Sequence, residues 1–133
     1  MIFLDASATI AILTREPGYE NLIEALARAK AASTSPIAVC EAALGLRRKR
    51  KCAVEEAEAD VMDFLRESRV DIVGIDPEAA RLALAAFSRF GKGIHPAQLN
   101  MGDCFAYAQA KAAQAALLFK GDDFSKTDIK AAV

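Results

Sequence analysis

The chain has 133 residues, of which 53% are hydrophobic, and a formal net charge of -1. That length predicts one domain over residues 1–133 with enough apolar material for a substantial core. The near-neutral charge excludes a globally basic nucleic-acid-binding protein, so any nucleic acid would have to be held by a local patch. A single histidine and three cysteines without a CxxC pair argue against a zinc site and a disulfide scaffold. With no long apolar run and no signal-peptide pattern, we expect a cytoplasmic protein without a membrane partner.

The apolar pattern predicts strands that alternate with helices. In chain order these are a strand at 1–4, a helix to 13 capped by Ser7, a helix at 19–30, a short strand before 35, a helix at 36–51 capped by Ser35, a helix at 54–67, a β-rich stretch at 70–76, a helix at 77–90, a helix at 101–114 capped by Asn100, and a strand at 116–119. This order predicts an α/β fold, a three-layer α/β/α sandwich with a mostly parallel central sheet. In such sheets the functional site lies at the carboxyl ends of the strands.

Acidic side chains are expected at that edge of the sheet. Asp5 follows the first strand directly, and Asp122 and Asp123 follow the last strand. Asp103 lies at the third position of the helix that Asn100 caps. Taken singly, Asp5 could begin a turn, and Asp103 could serve the helix dipole. Together they predict a convergence of carboxylates.

Glu41 belongs to the same set for a different reason. It shares a helical stripe with Ile37, Cys40 and Leu44, which we expect to face the core. A carboxylate there is costly unless a partner neutralises it. The structural explanation would be an arginine partner, and the functional one a place in the acidic site.

Carboxylates that converge from distant elements do not all stay ionised unless a cation lies among them. Oxygen ligands without histidine or cysteine suit Mg²⁺ or Mn²⁺. One or two such ions activate water and stabilise the charge that develops during in-line displacement at a phosphodiester. The acidic residues therefore predict a metal-dependent nuclease.

Four stretches also carry a family resemblance: MIFLDASA at the start, TSPIAVCEA around Glu41, GIHPAQLNMGDCFAYAQAK around Asp103, and LLFKGDDFSKTDI near the end. In these stretches the chain resembles PIN-domain ribonucleases, specifically the VapC toxins of type II toxin–antitoxin systems. The matching stretches span nearly the whole chain in the family's order.

The resemblance implies a single PIN domain that hydrolyses RNA with Mg²⁺ or Mn²⁺. Its catalytic and metal-binding acids would be Asp5, Glu41, Asp103 and Asp123, with Asp122 as the less typical member of its pair. Ser7 would support the site. The resemblance further implies a homodimer, and a VapB-type antitoxin partner that inserts a segment into the site.

A dense basic run follows Glu41 on the same predicted helix. It consists of Arg47, Arg48, Lys49, Arg50 and Lys51. These cations could hold RNA phosphates, or they could be placed favourably at a helix C-terminus. His95, between glycines and Pro96, is interpreted as a residue that structures its loop.

Other acidic α/β proteins fit the residues less well. A receiver domain needs a lysine after its last strand together with a central aspartate, and a haloacid-dehalogenase-type phosphatase needs an aspartate where Ser7 lies. The remaining alternative is a non-catalytic module that binds a metal or a basic partner segment in the same pocket. Metal-dependent cleavage that is lost in Asp5→Asn would separate this module from the enzyme.

Overall fold

Short parallel strands form the centre of the molecule. The structure is a computed structural model that describes residues 1–133. The strands are β1 (Ile2–Leu4), β2 (Ala32–Thr34), β3 (Val70–Ile72) and β4 (Ala116–Leu118). They pair in parallel in the order β3-β2-β1-β4. Their carboxyl ends therefore meet at one edge of the sheet.

Helices cover both faces of this sheet. They are α1 (Ala6–Leu13), α2 (Tyr19–Arg28), α3 (Pro36–Arg50), α4 (Val54–Glu67), α5 (Pro77–Phe90) and α6 (Met101–Ala112), and a short 3₁₀ helix follows at Phe124–Lys126. None of them combines the length and the apolar character needed to cross a bilayer.

The core is divided by the sheet because side chains of a strand alternate between its faces. Ile2 and Leu4 point to the side where α1 to α4 pack. Phe3 points to the opposite side, where it packs with α5 and α6. The structure is thus the predicted three-layer α/β/α arrangement with a parallel sheet, and the predicted fold class is confirmed.

The predicted β-rich stretch at 70–76 is too long. The strand ends at Ile72, and Val73 makes one further bond, from its N–H to the Thr34 carbonyl at 2.8 Å. The neighbouring strand β2 stops at Thr34 because Ser35 begins α3. Residues 74–76 therefore have no partner strand.

The predicted core-facing stripe of α3 is wrong. Cys40 and Leu44 are exposed, and Ile37 is only partly buried. The buried residues of α3 are Ala38, Ala42, Ala43, Gly45 and Leu46. Small residues allow α3 to lie close to α1: a methyl group at Gly45 would come within 2.4 Å of the Ile10 Cδ1 atom. The buried face of α3 is therefore determined by how closely the helices pack as well as by hydrophobicity.

We expect Leu46→Ala to lower the free energy of unfolding by about 2–5 kcal/mol, because Leu46 is 0% exposed and its truncation leaves a cavity. Leu44→Ala makes the same change two residues earlier on α3. Since Leu44 is 55% exposed, its effect should stay below about 0.5 kcal/mol. Urea denaturation followed by circular dichroism measures both. Equal losses would contradict the orientation of α3 described here.

Candidate active site

Asp5 lies where β1 ends and α1 begins. The predicted cap at Ser7 is wrong, because α1 starts at Ala6 and Asp5 is its N-cap. Asp5 has an extended backbone (φ -79°, ψ 154°), and its Oδ2 accepts hydrogen bonds from the Ser7 N–H at 3.0 Å and from the Ser7 hydroxyl. A carboxylate at this position satisfies N–H groups that the first helical turn leaves free. The Asp5 N–H donates to the Leu118 carbonyl at 3.0 Å, which fixes Asp5 beside β4 as well.

Ser7 extends this network to the acidic loop. Its hydroxyl oxygen accepts a hydrogen bond from the Lys120 N–H at 3.0 Å. The Lys120 ammonium group donates in turn to the Pro17 carbonyl at 2.7 Å. The segment that carries Asp122 and Asp123 is therefore held against the residues that follow β1.

Asp103 belongs to a capping box at the start of α6. Its N–H donates to the Asn100 Oδ1 at 2.9 Å, and its Oδ2 accepts from the Asn100 N–H at 3.1 Å. The helix-end explanation of Asp103 is therefore correct as far as it goes. The capping box engages the Oδ2 atom of Asp103, and the Oδ1 atom makes no hydrogen bond with Asn100.

Glu41 is half-buried on α3 and makes neither a hydrogen bond nor an ion pair. Burial raises the pKa of Glu41 to about 7, and the negative charges of Asp5 and Asp103 add to the increase. The arginine partner of the structural explanation is thus absent. The charged neighbours of Glu41 are two further acids.

The other acids influence one another in the same way. Burial raises the pKa of Asp5, while hydrogen bonds from Ser7 and Ala6 oppose the increase. Burial raises the pKa of Asp103 to about 6, the Asn100 N–H opposes this, and the charges of Asp5 and Asp123 add to it. Asp5, Glu41, Asp103 and Asp123 therefore form one electrostatically coupled group, which we call the acidic cluster.

Asp122 differs from its neighbour. Both side chains are exposed, but only the charge of Asp123 contributes to the raised pKa of Asp103. Asp122 contributes to the pKa increase of neither Glu41 nor Asp103. Its carbonyl accepts a hydrogen bond from the Ser125 hydroxyl at 2.5 Å, which shapes the turn before the 3₁₀ helix.

The acidic cluster offers the ligands of a hard cation. Its donors are all carboxylate oxygens, and the side chains of Glu41 and Asp123 accept no hydrogen bond from the protein. No three acidic, histidine or cysteine side chains converge to the spacing of a metal site. To hold a cation the carboxylates would have to rotate toward one another, and no hydrogen bond to the Glu41 or Asp123 side chain opposes this.

Only two of the five cations in the basic run at the end of α3 make ion pairs. Lys49 pairs with Glu16, while Arg50 pairs with Asp60 at 2.7 Å and also donates to the Leu13 carbonyl. These contacts join α3 to α4 and to the end of α1. The three other members, Arg47, Arg48 and Lys51, make no ion pair.

Two further residues near these elements have structural contacts. The His95 Nδ1 accepts from the Ala97 N–H at 3.0 Å, and its ring packs edge-on against Phe90, which bears out its interpretation as a loop residue. Gly102, which the sequence analysis did not select, lies against the Glu41 carboxylate. The sequence pattern that could have indicated Gly102 is a glycine near the start of a predicted helix, because glycine is unfavourable in helices.

Comparison with known proteins shows the family to which the chain belongs. The sequence matches the PIN domain family over residues 2–130. It is 42% identical to a VapC ribonuclease of Rhizobium meliloti, with 97% of this chain and 99% of that protein covered. The chain therefore belongs to the PIN-domain family. At this level of identity its relative is a VapC ribonuclease, and the resemblance to VapC toxins found in the sequence is confirmed.

Solved structures share the fold at lower sequence identity. VapC20 of Mycobacterium tuberculosis, a toxin that cleaves the sarcin-ricin loop, superposes with a TM-score of 0.76 at 14% identity, covering 97% of this chain and 96% of that one. VapBC2 of Rickettsia felis, bound to a DNA fragment from its promoter, gives a TM-score of 0.70 at 22% identity, covering 98% and 96%.

The raised pKa of Glu41 makes the metal-free protein less stable as the pH rises. Below about pH 4.5 the carboxyl is protonated in both folded and unfolded chains, and between about 4.5 and 7 only the folded chain keeps its proton. The free energy of unfolding therefore falls through this window. We expect Glu41→Gln to raise it at pH 8 by about 1–2 kcal/mol after solvent screening, and to leave it unchanged at pH 4.

Urea denaturation in EDTA at the two pH values measures this effect. Glu58→Gln on the exposed face of α4 is the matched control and should change neither value. A Glu41→Gln variant that is less stable than the wild type at pH 8 would contradict the prediction, because it would show that the negative charge of Glu41 stabilises the folded chain.

Proposed function

We propose that this protein is a metal-dependent endoribonuclease and the toxin component of a type II toxin–antitoxin system. The observation that carries the proposal is the acidic cluster, in which four carboxylates influence one another and no basic side chain pairs with any of them. A half-buried group of this kind is a characteristic of functional sites. The names of the VapC relatives support the choice of RNA as the substrate.

The residues of the acidic cluster have distinct roles in this proposal. Asp5 and Asp103, fixed by hydrogen bonds at the ends of α1 and α6, would hold Mg²⁺ or Mn²⁺. The bound ion would supply charge stabilisation for the phosphate as it is attacked. Glu41, which no protein donor engages, would join them as a further ligand, and it would also orient the attacking water and accept its proton. We assign the fourth position to Asp123, because it is the member of its pair whose charge reaches Asp103.

The water oxygen attacks phosphorus in line with the ribose oxygen that leaves. One phosphorus–oxygen bond forms as the other breaks, the proton of the water passes to Glu41, and the leaving ribose oxygen takes a proton from the solvent. The protein contributes mainly orientation and electrostatics, as in other phosphoryl-transfer sites.

The basic run would contribute the phosphate contacts beside the site. Arg48 lies seven residues after Glu41 on α3, which is two helical turns and the same side of the helix. Its side chain is exposed and unpaired, so it is available to a phosphate about 10 Å along the helix from Glu41. Arg50 is instead engaged with Asp60.

The proposed protein partners are a VapB-type antitoxin and a second copy of the chain. A segment of the antitoxin would enter the site, where an arginine could pair with the acidic cluster. Leu44 and Met101, 55% and 70% exposed, lie on the two helices that also carry Glu41 and Asp103. Such apolar side chains are suited to a covering partner.

Cleavage of total cellular RNA by the purified protein tests the activity. We expect discrete fragments with Mg²⁺ or Mn²⁺ and none with EDTA, and a loss of at least about 100-fold in Asp5→Asn and Asp103→Asn, because each removes charge stabilisation of several kcal/mol. Asparagine at position 5 still caps α1, and the side-chain oxygen of asparagine at position 103 can still accept from the Asn100 N–H, so both variants should fold.

Within the paired aspartates, Asp123→Asn should lower the cleavage rate and Asp122→Asn should not. Equal cleavage by the wild type and Asp5→Asn would identify a contaminant. Cation binding without any cleavage would favour the non-catalytic module.

Arg48→Ala should weaken RNA binding several-fold and reduce the slope of log K against log salt by about 1, since one phosphate contact is lost. Arg50→Ala is the comparison: the same change is expected to lower the Tm and to leave that slope unchanged, because Arg50 joins α3 to α4. Fluorescence anisotropy with a short RNA in EDTA, between 50 and 200 mM salt (about a fourfold range), measures both. Identical slopes in the wild type and Arg48→Ala would exclude this contact.

A further inference from the structure

Glu41 is positioned without the interactions that usually fix a side chain. Its carboxylate has no hydrogen bond and no ion pair, and its charged neighbours are acids that repel it. Its position must therefore depend on the shape of the surface it lies against. That surface is the first turn of α6.

The residue in contact there is Gly102. It is buried at the second position of α6, between Met101 and Asp103. A Cβ atom at Gly102 would lie 2.0 Å from the Glu41 Oε2, 2.5 Å from its Cδ and 2.8 Å from its Oε1. Real Cβ atoms do not approach other atoms so closely. The Glu41 carboxylate thus occupies the volume that a side chain at position 102 would fill.

The backbone conformation of Gly102 does not explain the choice of glycine. Gly102 is helical and is absent from the residues with positive φ. Alanine would be more favourable in a helix on conformational grounds. The steric reason for glycine here is Glu41, since the three atoms nearest to a Cβ at this position all belong to that side chain.

We propose that Gly102 is a positioning residue, whose missing side chain leaves the space in which the Glu41 carboxylate lies beside Asp103, within reach of the proposed cation site. This inference rests on the proposed function, because it concerns the same cation site. A methyl group at position 102 would turn the flexible Glu41 side chain away and leave the fold intact. The predicted variant is therefore stable but impaired, which a purely structural glycine would not produce.

The test compares Gly102→Ala with the wild type in Mn²⁺ affinity, RNA cleavage and Tm. Mn²⁺ affinity is measured from the electron paramagnetic resonance signal of free Mn²⁺. We expect Gly102→Ala to bind Mn²⁺ and to cleave RNA about 10- to 100-fold less well, as a displaced ligand does, with a Tm equal to or above that of the wild type. Gly74→Ala is the matched control, because a methyl group there meets nothing within 4 Å.

A double variant tests the steric cause directly. Glu41→Asp shortens the side chain by one methylene group, so it should weaken Mn²⁺ binding in the wild-type background. In the Gly102→Ala background it should instead restore binding by about threefold or more, because the shorter acid avoids the new methyl group.

The possible failures are distinguishable. Unchanged Mn²⁺ affinity in Gly102→Ala, a lowered Tm, or additive losses in the double variant would overturn the role of Gly102. Mn²⁺ binding by a wild-type protein that cleaves no RNA would remove the proposed function, while the comparison of Mn²⁺ affinities would still decide the role of Gly102. A wild type that binds no Mn²⁺ would overturn both.

Discussion

The hydrogen bonds between Asp5 and Ser7 hold the candidate site together. Asp5 ends β1, caps α1 and is bonded through its backbone to Leu118 of β4. Ser7 connects the same carboxylate to the backbone of Lys120, which follows β4. Two segments more than a hundred residues apart in sequence thus meet at one buried acid. The loop that carries Asp123 is placed by these bonds.

Gathering acids at this edge opposes stability, and the fold compensates for part of the cost. Asp5 and Asp103 lie at the N-termini of α1 and α6, where free N–H groups and the helix dipole favour negative charge. Glu41 has no such partner, and its pKa is raised to about 7. The uncompensated part of the cluster is therefore the part best suited to bind something from solution, such as a cation or a basic side chain.

Much of the fold could be predicted because its signals are local. The bounds of α4 and α5 follow from their apolar spacing and, for α5, from Pro77 and Gly91 at its ends. The placement of Asp5 and Asp123 at the same edge of the sheet follows from the parallel pairing of β1 with β4. The inner face of α3 could not be predicted, since it depends on how closely α1 approaches Gly45. Which cations of the basic run form ion pairs could not be predicted either, because partners such as Lys49 and Glu16 are 33 residues apart in the sequence.

Glu41 was singled out in the sequence for a reason that the structure does not support. It was expected to be buried with Ile37 and Leu44, but it is shielded by Gly102 on another helix while Leu44 is exposed. Single-residue properties indicated that this carboxylate was unusual. The contact that accounts for its position joins residues 61 apart, and no local pattern reveals such a contact.

Asp128 fixes the far end of the acidic loop. It accepts a hydrogen bond from the Tyr107 hydroxyl and pairs with Arg89 and Lys111 at 3.4 and 3.3 Å. The loop is thus held by Ser7 at one end and by α5 and α6 at the other. In the proposed metal site, a loop held in this way would favour a small ion of octahedral geometry, with oxygens at about 2.0–2.1 Å, over Ca²⁺, which needs more ligands at longer distances.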